Sequence, residues 1–170
     1  APATSATRFQ LASLSKTLGA AFAVEYFRAA GISLGASVND LLAKSGSPVR
    51  LRSSAAGSPK WAEEVTLEQL IDHSALGQHY VYGTPAGEAR PALEALLLDP
   101  ERWGYEPLEV RRAPGERFAY SGGGFLVLQH LIERREGRPI DEVTRPFLES
   151  IGGGAIRFEA HQPSDEGVAW

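Results

Sequence analysis

The sequence contains no cysteine and no methionine in its 170 residues. Without cysteine the chain cannot form disulfide bonds or thiolate metal sites, but its compartment stays open because many exported proteins also lack cysteine. Average usage would give about four methionines in this length. Either the chain, which begins at Ala1, is a processed fragment, or modified methionines are missing from the sequence. We expect the natural protein to be longer at both ends.

The sequence also lacks an excess of positive charge and a long apolar run. The formal net charge of −4 gives no electrostatic reason to expect nucleic acid or an anionic membrane as a partner. No apolar run approaches the roughly 18 residues that a membrane-spanning helix needs. The hydrophobic fraction of 43% and the length predict one globular domain or one lobe of a larger one. No signal peptide is recognisable, so periplasmic, secreted and cytoplasmic locations all stay open.

Helical periodicity dominates the chain, and strand candidates are few. Apolar residues recur at helical spacing from Ser13 to about Ala30, where Gly31 supplies a stop. Further helices are predicted in the second half of 32–42, from Thr66 with a capping box to Gln69, from Pro91 to Leu98, from Phe125 to about Arg135, and from about Ile140 to Ile151. The Ser-, Gly- and Pro-rich stretch 45–60 predicts an exposed loop, and 117–120 a short extended piece. The pattern predicts a first helix at about 13–30 and a helical lobe at about 31–151.

Ser13 and Lys16 form a candidate catalytic pair. On a helix, a three-residue separation places both side chains on one face with Cβ atoms about 5–6 Å apart, so that the lysine amine can reach the serine hydroxyl. The apolar surroundings favour a neutral, proton-accepting amine, and the helix N-terminus lowers the cost of negative charge on the serine oxygen. Together these effects would activate a weak nucleophile. The alternative is structural, because a serine at a helix start often caps backbone N–H groups and S-x-x-K is common by chance.

The segment around this pair, "RFQLASLSKTLGAAFAV", resembles the nucleophile segment F-x-x-A-S-x-S-K-T of the serine β-lactamase and penicillin-binding-protein superfamily, in particular its class C and esterase branch. Three further segments match that superfamily in order: "GISLGASVNDLL", "VTLEQLIDHSALG" and "APGERFAYSGGGFLVLQHLIE". The resemblance covers residues 8 to about 151. It implies the α+β fold of β-lactamases and DD-peptidases, with this chain forming mostly the helical lobe and the main sheet lying largely outside the sequence.

The resemblance assigns roles to three residues by position. Ser13 would be the acylated nucleophile, and Lys16 would help to take its proton. Tyr120 matches the tyrosine of the superfamily's Y-x-N motif, which acts as general base and returns the proton to the leaving group. Taken alone, Tyr120 would read as a core tyrosine with a satisfied hydroxyl. A lysine beside the phenol would stabilise the phenolate, which is how such a pair can work near neutral pH.

Two departures from the superfamily pattern affect the expected chemistry. Gly122 stands where Y-x-N has asparagine, so no amide can orient the lysine or contact an acylamino group of the substrate. By its place in the motif, the resemblance makes Gly122 the substrate-binding position. Because the side-chain amide is missing, cephalosporin hydrolysis is less expected than ester or peptide hydrolysis. The third motif, K-T-G or H-x-G, is absent after Tyr120. In the superfamily the strand with this motif supplies one main-chain N–H of the oxyanion hole, and loss of one such donor costs on the order of 10²–10³ in rate. We therefore expect these 170 residues alone to be inactive and to need the remainder of their own fold.

Other candidate sites carry weaker signals. His73 and His79 have no clear carboxylate partner, so a zinc site is not expected, and the resemblance makes His73 structural. The three glycines of "YSGGG" lack the lysine and hydroxyl of a P-loop and predict a tight turn with unusual backbone angles before a helix. "ERREGR" predicts a solvated helix end. A set of aromatic residues is expected to pack, with an acyl-group pocket as the alternative: Trp61, Tyr80, Tyr82, Trp103 and Tyr105.

The sequence thus predicts a serine hydrolase that forms an acyl-enzyme on an ester, amide or lactam carbonyl of a small molecule or peptide. Esterase or D-amino-acid-type peptidase activity is expected ahead of β-lactamase activity because of Gly122. No metal or organic cofactor is implied. The alternative function is a binding or sensory module that keeps the fold without turnover.

Overall fold

The computed structural model describes residues 2–4, 7–79, 91–158 and 168–169. Its α-helices are α1 (Ser15–Ala29), α2 (Val38–Lys44), α3 (Trp61–Glu64), α4 (Leu67–Ile71), α5 (Leu93–Leu98), α6 (Gly122–Glu136) and α7 (Ile140–Ser150). Its strands are β1 (Arg8–Phe9), β2 (Arg52–Ser53), β3 (Glu109–Val110) and β4 (Val168–Ala169). The described strands form two parallel pairs, β1 with β4 and β2 with β3. The expected helical lobe with few strands is confirmed.

The first predicted helix forms, but its α-helical part begins two residues after Ser13. A 3-10 turn at Ala12–Leu14 precedes α1, and Ala12 adopts a positive φ of 44° at the entry to that turn. At the other end, the Ala30 N–H donates to the Tyr26 carbonyl, and Gly31 has a φ of 68°. The left-handed conformation suits glycine, which explains the stop at this position.

The helix α6 starts three residues earlier than predicted, because the glycines belong to it. Ser121 is the N-cap, with its hydroxyl accepting the Gly124 N–H at 3.1 Å. The three glycines have ordinary negative φ angles, so the predicted turn of unusual backbone angles is wrong. Packing accounts for Gly123, since a Cβ there would lie 2.5 Å from Leu108 Cδ2. The helix ends at Gly137, which has a φ of 65°.

Three other local predictions, a capping box, a loop and an extended piece, had different outcomes. The capping box is confirmed: the Thr66 hydroxyl accepts the Gln69 N–H, and the Gln69 side chain accepts the Thr66 N–H. The exposed loop at 45–60 is wrong in its first half, because Ser47, Val49 and Leu51 are buried. No strand is assigned at 117–120.

The core gathers around α6, which contacts α4, α5 and α7. Its buried apolar face includes Val127, Leu128, Leu131 and Ile132. The helix α1 joins this core through Phe22, whose ring lies 5.7 Å from that of Phe147 on α7. Burying such side chains stabilises the fold by roughly 1.5–3 kcal/mol each. In the described part of the chain, no helix combines the length and apolar character that crossing a membrane requires.

Candidate active site

Ser13 and Lys16 meet at the N-terminal end of α1. Lys16 lies in the first turn of α1, and Ser13 in the 3-10 turn before it. The Lys16 Nζ donates a long hydrogen bond to Ser13 Oγ at 3.4 Å. Ser13 is exposed and Lys16 half-buried, so the hydroxyl is open to a substrate while the amine is held against the protein.

Ser13 does not cap α1. The N-cap position is Leu14, and no side chain makes a capping hydrogen bond there. The neighbouring Ser15 hydroxyl instead donates to the Ala12 carbonyl. Ser13 is therefore not an N-cap, and its hydroxyl accepts a hydrogen bond from Lys16.

Tyr120 meets the same pair from a segment that is distant in the sequence. The Lys16 Nζ lies 5.1 Å from the centre of the Tyr120 ring and 5.9 Å from that of Phe125. Tyr120 immediately precedes Ser121, the N-cap of α6. The packing of α1 beside α6, where Gly19 lies against the Phe125 ring, brings these residues together.

The Tyr120 hydroxyl is buried and makes no hydrogen bond of ordinary length and angle within the described part of the chain. Burial alone would raise the pKa of Tyr120. The approach of the Lys16 amine and of the Ser13 hydroxyl, together with the charge of Lys16, outweighs burial and lowers this pKa below its usual value of 10.0. The phenol is therefore easier to ionise than an ordinary tyrosine, as a general base must be.

His73 also packs against this cluster. Its ring centre is 4.6 Å from that of Tyr120 and 5.3 Å from that of Phe125, and its Nδ1 accepts the Ser121 N–H at 3.0 Å. The His79 ring also contacts Tyr120, at 4.8 Å. The resemblance predicted a structural role for His73. Its position beside Tyr120 was not predictable from the sequence, because no local pattern indicates the positive φ of 63° at His73.

Gly122 and Lys16 both line a cleft of about 730 Å³ between α1, α6 and α7. Much of the remaining lining is apolar, including Phe22, Phe125 and Ile132. As a glycine, residue 122 presents only main chain there, with no side-chain amide that could contact Lys16 or a ligand.

Among the residues that the structure describes, the other aromatic candidates are not part of this cluster. Trp61 packs against the core, and Trp103 and Tyr105 do not line the cleft. Tyr80 and Tyr82 lie outside the described residues. Over the stretches that the structure describes, no three histidine, aspartate or glutamate side chains are grouped so as to hold a metal ion.

Solved structures share this fold. Simvastatin synthase (LovD) from Aspergillus terreus aligns with a TM-score of 0.60 and 22% identity, covering 96% of this chain and 43% of its own. The octameric penicillin-binding protein homologue from Pyrococcus abyssi aligns with a TM-score of 0.53 and 21% identity, covering 81% of this chain and 30% of its own. The chain therefore spans less than half the length of either protein. These likenesses define the class of the fold as β-lactamase-like.

The sequence family agrees with the fold. The family model described as Beta-lactamase matches residues 1–170, and the chain belongs to the beta-lactamase family. No curated protein matches the sequence. The superfamily resemblance and the α+β fold class, of which these residues form a mainly helical part, are both confirmed.

Proposed function

We propose that this chain carries the nucleophile and the proton carriers of a serine hydrolase that works through an acyl-enzyme. Ser13 Oγ attacks the carbonyl carbon of an ester, amide or lactam, and its proton passes to the ionised Tyr120 oxygen, which Lys16 stabilises. Tyr120 then gives the proton to the leaving alkoxide or amine as the carbonyl–heteroatom bond breaks. In a second step Tyr120 takes a proton from water as the water oxygen attacks the acyl carbon, and Tyr120 passes this proton to Ser13 Oγ as the Oγ–acyl bond breaks and the carboxylic acid leaves.

One observation carries the proposal: the Lys16 Nζ lies 3.4 Å from the Ser13 hydroxyl and 5.1 Å from the centre of the Tyr120 ring. Residues from two distant segments meet at one ammonium, and the phenol has a lowered pKa. A nucleophile with an adjacent base and a cation that holds that base ionised is the arrangement that acyl transfer requires. The family membership supports the same reaction class.

Two features favour an ester or D-amino-acid-type peptide over a β-lactam. Gly122 presents no side-chain amide to the acylamino group that penicillins and cephalosporins carry. Large apolar side chains are also exposed around the cluster: Leu14 follows the nucleophile and is 70% exposed, and Phe118, whose ring meets that of His73, is 68% exposed. These residues fit a substrate with an apolar group beside its reacting carbonyl.

Covalent labelling of the full-length gene product tests the proposal. We expect a fluorophosphonate to label Ser13, as located by peptide mass mapping. Ser13→Ala should abolish the label, whereas Ser15→Ala is the matched control and should keep it, because the Ser15 hydroxyl bonds to the Ala12 carbonyl. A folded protein that stays unlabelled by both the fluorophosphonate and a labelled penicillin would contradict turnover and favour the binding module.

The pH dependence of labelling tests the role of Tyr120. The labelling rate should rise with pH and level off below pH 10, because the lowered pKa of Tyr120 sets the ionised fraction. Tyr120→Phe should slow labelling roughly 10²–10⁴-fold, the usual contribution of a general base. Lys16→Met should move the rising limb to higher pH, since the ammonium charge is lost. A limb that stays in place in Lys16→Met would show that the lysine does not act through the phenol.

A further inference from the structure

A single residue, His73, supports the segment that carries Tyr120 from both ends. The His73 carbonyl accepts the Ala119 N–H at 2.7 Å, and its Nδ1 accepts the Ser121 N–H at 3.0 Å. These two N–H groups flank Tyr120 in the chain. The φ of 63° at His73 is what a residue at the end of α4 needs to turn toward this segment, and histidine is among the residues that tolerate it.

The His73 ring also packs against the Tyr120 ring. It lies 4.6 Å from the Tyr120 ring with an interplanar angle of 32°, and it meets the rings of Phe118 and Phe125 as well. The face of Tyr120 is thereby held in place while Lys16 lies 5.1 Å from its centre. The Tyr120 hydroxyl has no hydrogen bond among the described residues. The position of Tyr120 therefore depends on the ring contacts and on the two main-chain hydrogen bonds to His73.

We propose that His73 is the positioning residue of Tyr120, holding the main-chain N–H groups on both sides of the phenol and the plane of its ring against Lys16. The catalytic consequence rests on the proposed function, but the positioning itself does not. Because Nδ1 accepts a hydrogen bond, the neutral ring carries its proton on Nε2. Protonation at Nδ1 would replace this acceptor with a second donor and break the bond to Ser121.

The charges around His73 favour the neutral ring. Burial lowers the pKa of His73, and the positive charge of Lys16 on α1 lowers it further, as does His79. Asp72, at the end of α4, raises it but does not outweigh the other causes. The ring therefore stays an acceptor through neutral pH, and the contact with Ser121 is lost only in acid.

The test separates the acceptor from the ring. His73→Asn keeps a short acceptor and tolerates the left-handed backbone, whereas His73→Phe keeps a ring but has no acceptor. His79→Phe is the matched control, because His79 also stacks on Tyr120 and its described contact is with the ring alone. Each variant is made in the full-length gene product and checked for folding by circular dichroism.

Ultraviolet titration of the phenol gives a readout that needs no activity. The Tyr120 signal is the difference between each protein and its Tyr120→Phe counterpart. In the wild type, in His73→Asn and in His79→Phe, Tyr120 should titrate below pH 10, whereas in His73→Phe it should titrate at a higher pH than in the wild type. Labelling of Ser13 should slow roughly 10–100-fold in His73→Phe, as for a reacting group displaced by about 1 Å, and should recover in His73→Asn.

The outcomes distinguish the two proposals. A His73→Phe protein that is folded and matches the wild type in both titration and labelling overturns the positioning role and leaves the proposed function standing. An unlabelled wild type whose Tyr120 titration still shifts in His73→Phe overturns the function and supports the positioning. If His73→Phe does not fold, the ¹⁵N spectrum of the wild-type imidazole decides: a neutral ring protonated at Nε2 supports the inference, and one protonated at Nδ1 overturns it.

Discussion

Replacing Ser47 with alanine would remove one hydroxyl that serves two buried partners. Ser47 Oγ lies 2.7 Å from His130 Nε2 on α6, and it also accepts the Val49 N–H at 3.0 Å. Ser47 and His130 are only 4% and 3% exposed. One hydroxyl can satisfy both partners because it has one proton and two lone pairs. The bond ties the segment after α2 to the central helix.

The cost of Ser47→Ala follows from what the substitution leaves behind. His130 Nε2 and the Val49 N–H would both stay buried without a partner, since Glu94 Oε2, at 3.8 Å from Nε2, is beyond hydrogen-bond distance. Each buried unsatisfied group costs about 1–3 kcal/mol, and partial relaxation reduces the sum. We expect a loss of about 2–4 kcal/mol in the free energy of unfolding, a large share of the 5–15 kcal/mol typical of a domain.

Urea unfolding followed by circular dichroism measures this loss. Ser45→Ala is the matched control, because the Ser45 hydroxyl donates one part-buried bond to the Leu42 carbonyl at 2.8 Å and should cost about 0.5–1.5 kcal/mol. The double variant Ser47→Ala with His130→Leu should cost less than the sum of the two single variants, because an apolar pair leaves fewer groups unsatisfied. A Ser47→Ala loss equal to that of Ser45→Ala, or a purely additive double variant, would refute the reasoning.

Two further predictions concern stability. The pKa values of His73 and His130 are both lowered below 6.5, with burial as the largest cause. The unfolded chain therefore binds more protons just below pH 6.5, and the urea midpoint should fall as pH drops from 6.5 to 5; a flat midpoint over this range would contradict the burial of both neutral rings. Separately, Gly123→Ala should be less stable than Gly124→Ala by about 1–3 kcal/mol in urea unfolding. The added Cβ would meet Leu108 at 2.5 Å in the first case and has nothing nearer than 3.6 Å in the second, so equal stabilities would show that Leu108 moves away freely.

Local chemistry made parts of this protein predictable. The capping box of Thr66 and Gln69, the stop at Gly31 and the helical spacing of Ser13 and Lys16 each depend on residues within one or two turns, and all three appear in the structure. The superfamily and the fold class followed from motifs that span most of the chain, and both are confirmed.

Predictions that depended on distant packing were wrong or incomplete. The stretch 45–60 has the composition of an exposed loop, yet Ser47 is buried because His130, 83 residues away, bonds to it. The glycines before Phe125 suggested a turn, but they begin α6, and the approach of Leu108 leaves no room for a side chain at Gly123. The composition of a segment indicates only its local preferences. The contacts of Ser47 with His130 and of Gly123 with Leu108 involve residues outside the segment and could not be predicted from it.

The sequence by itself determined that Lys16 lies within reach of Ser13 at the start of α1, because a three-residue separation in a helical turn brings the two side chains to one face. Only the tertiary structure decided that Tyr120 meets that pair and that His73 supports the phenol. Those contacts arise when α1 packs beside α6 and the end of α4 turns toward the N-cap of α6. They depend on how buried surfaces fit together, which no local spacing of residues specifies.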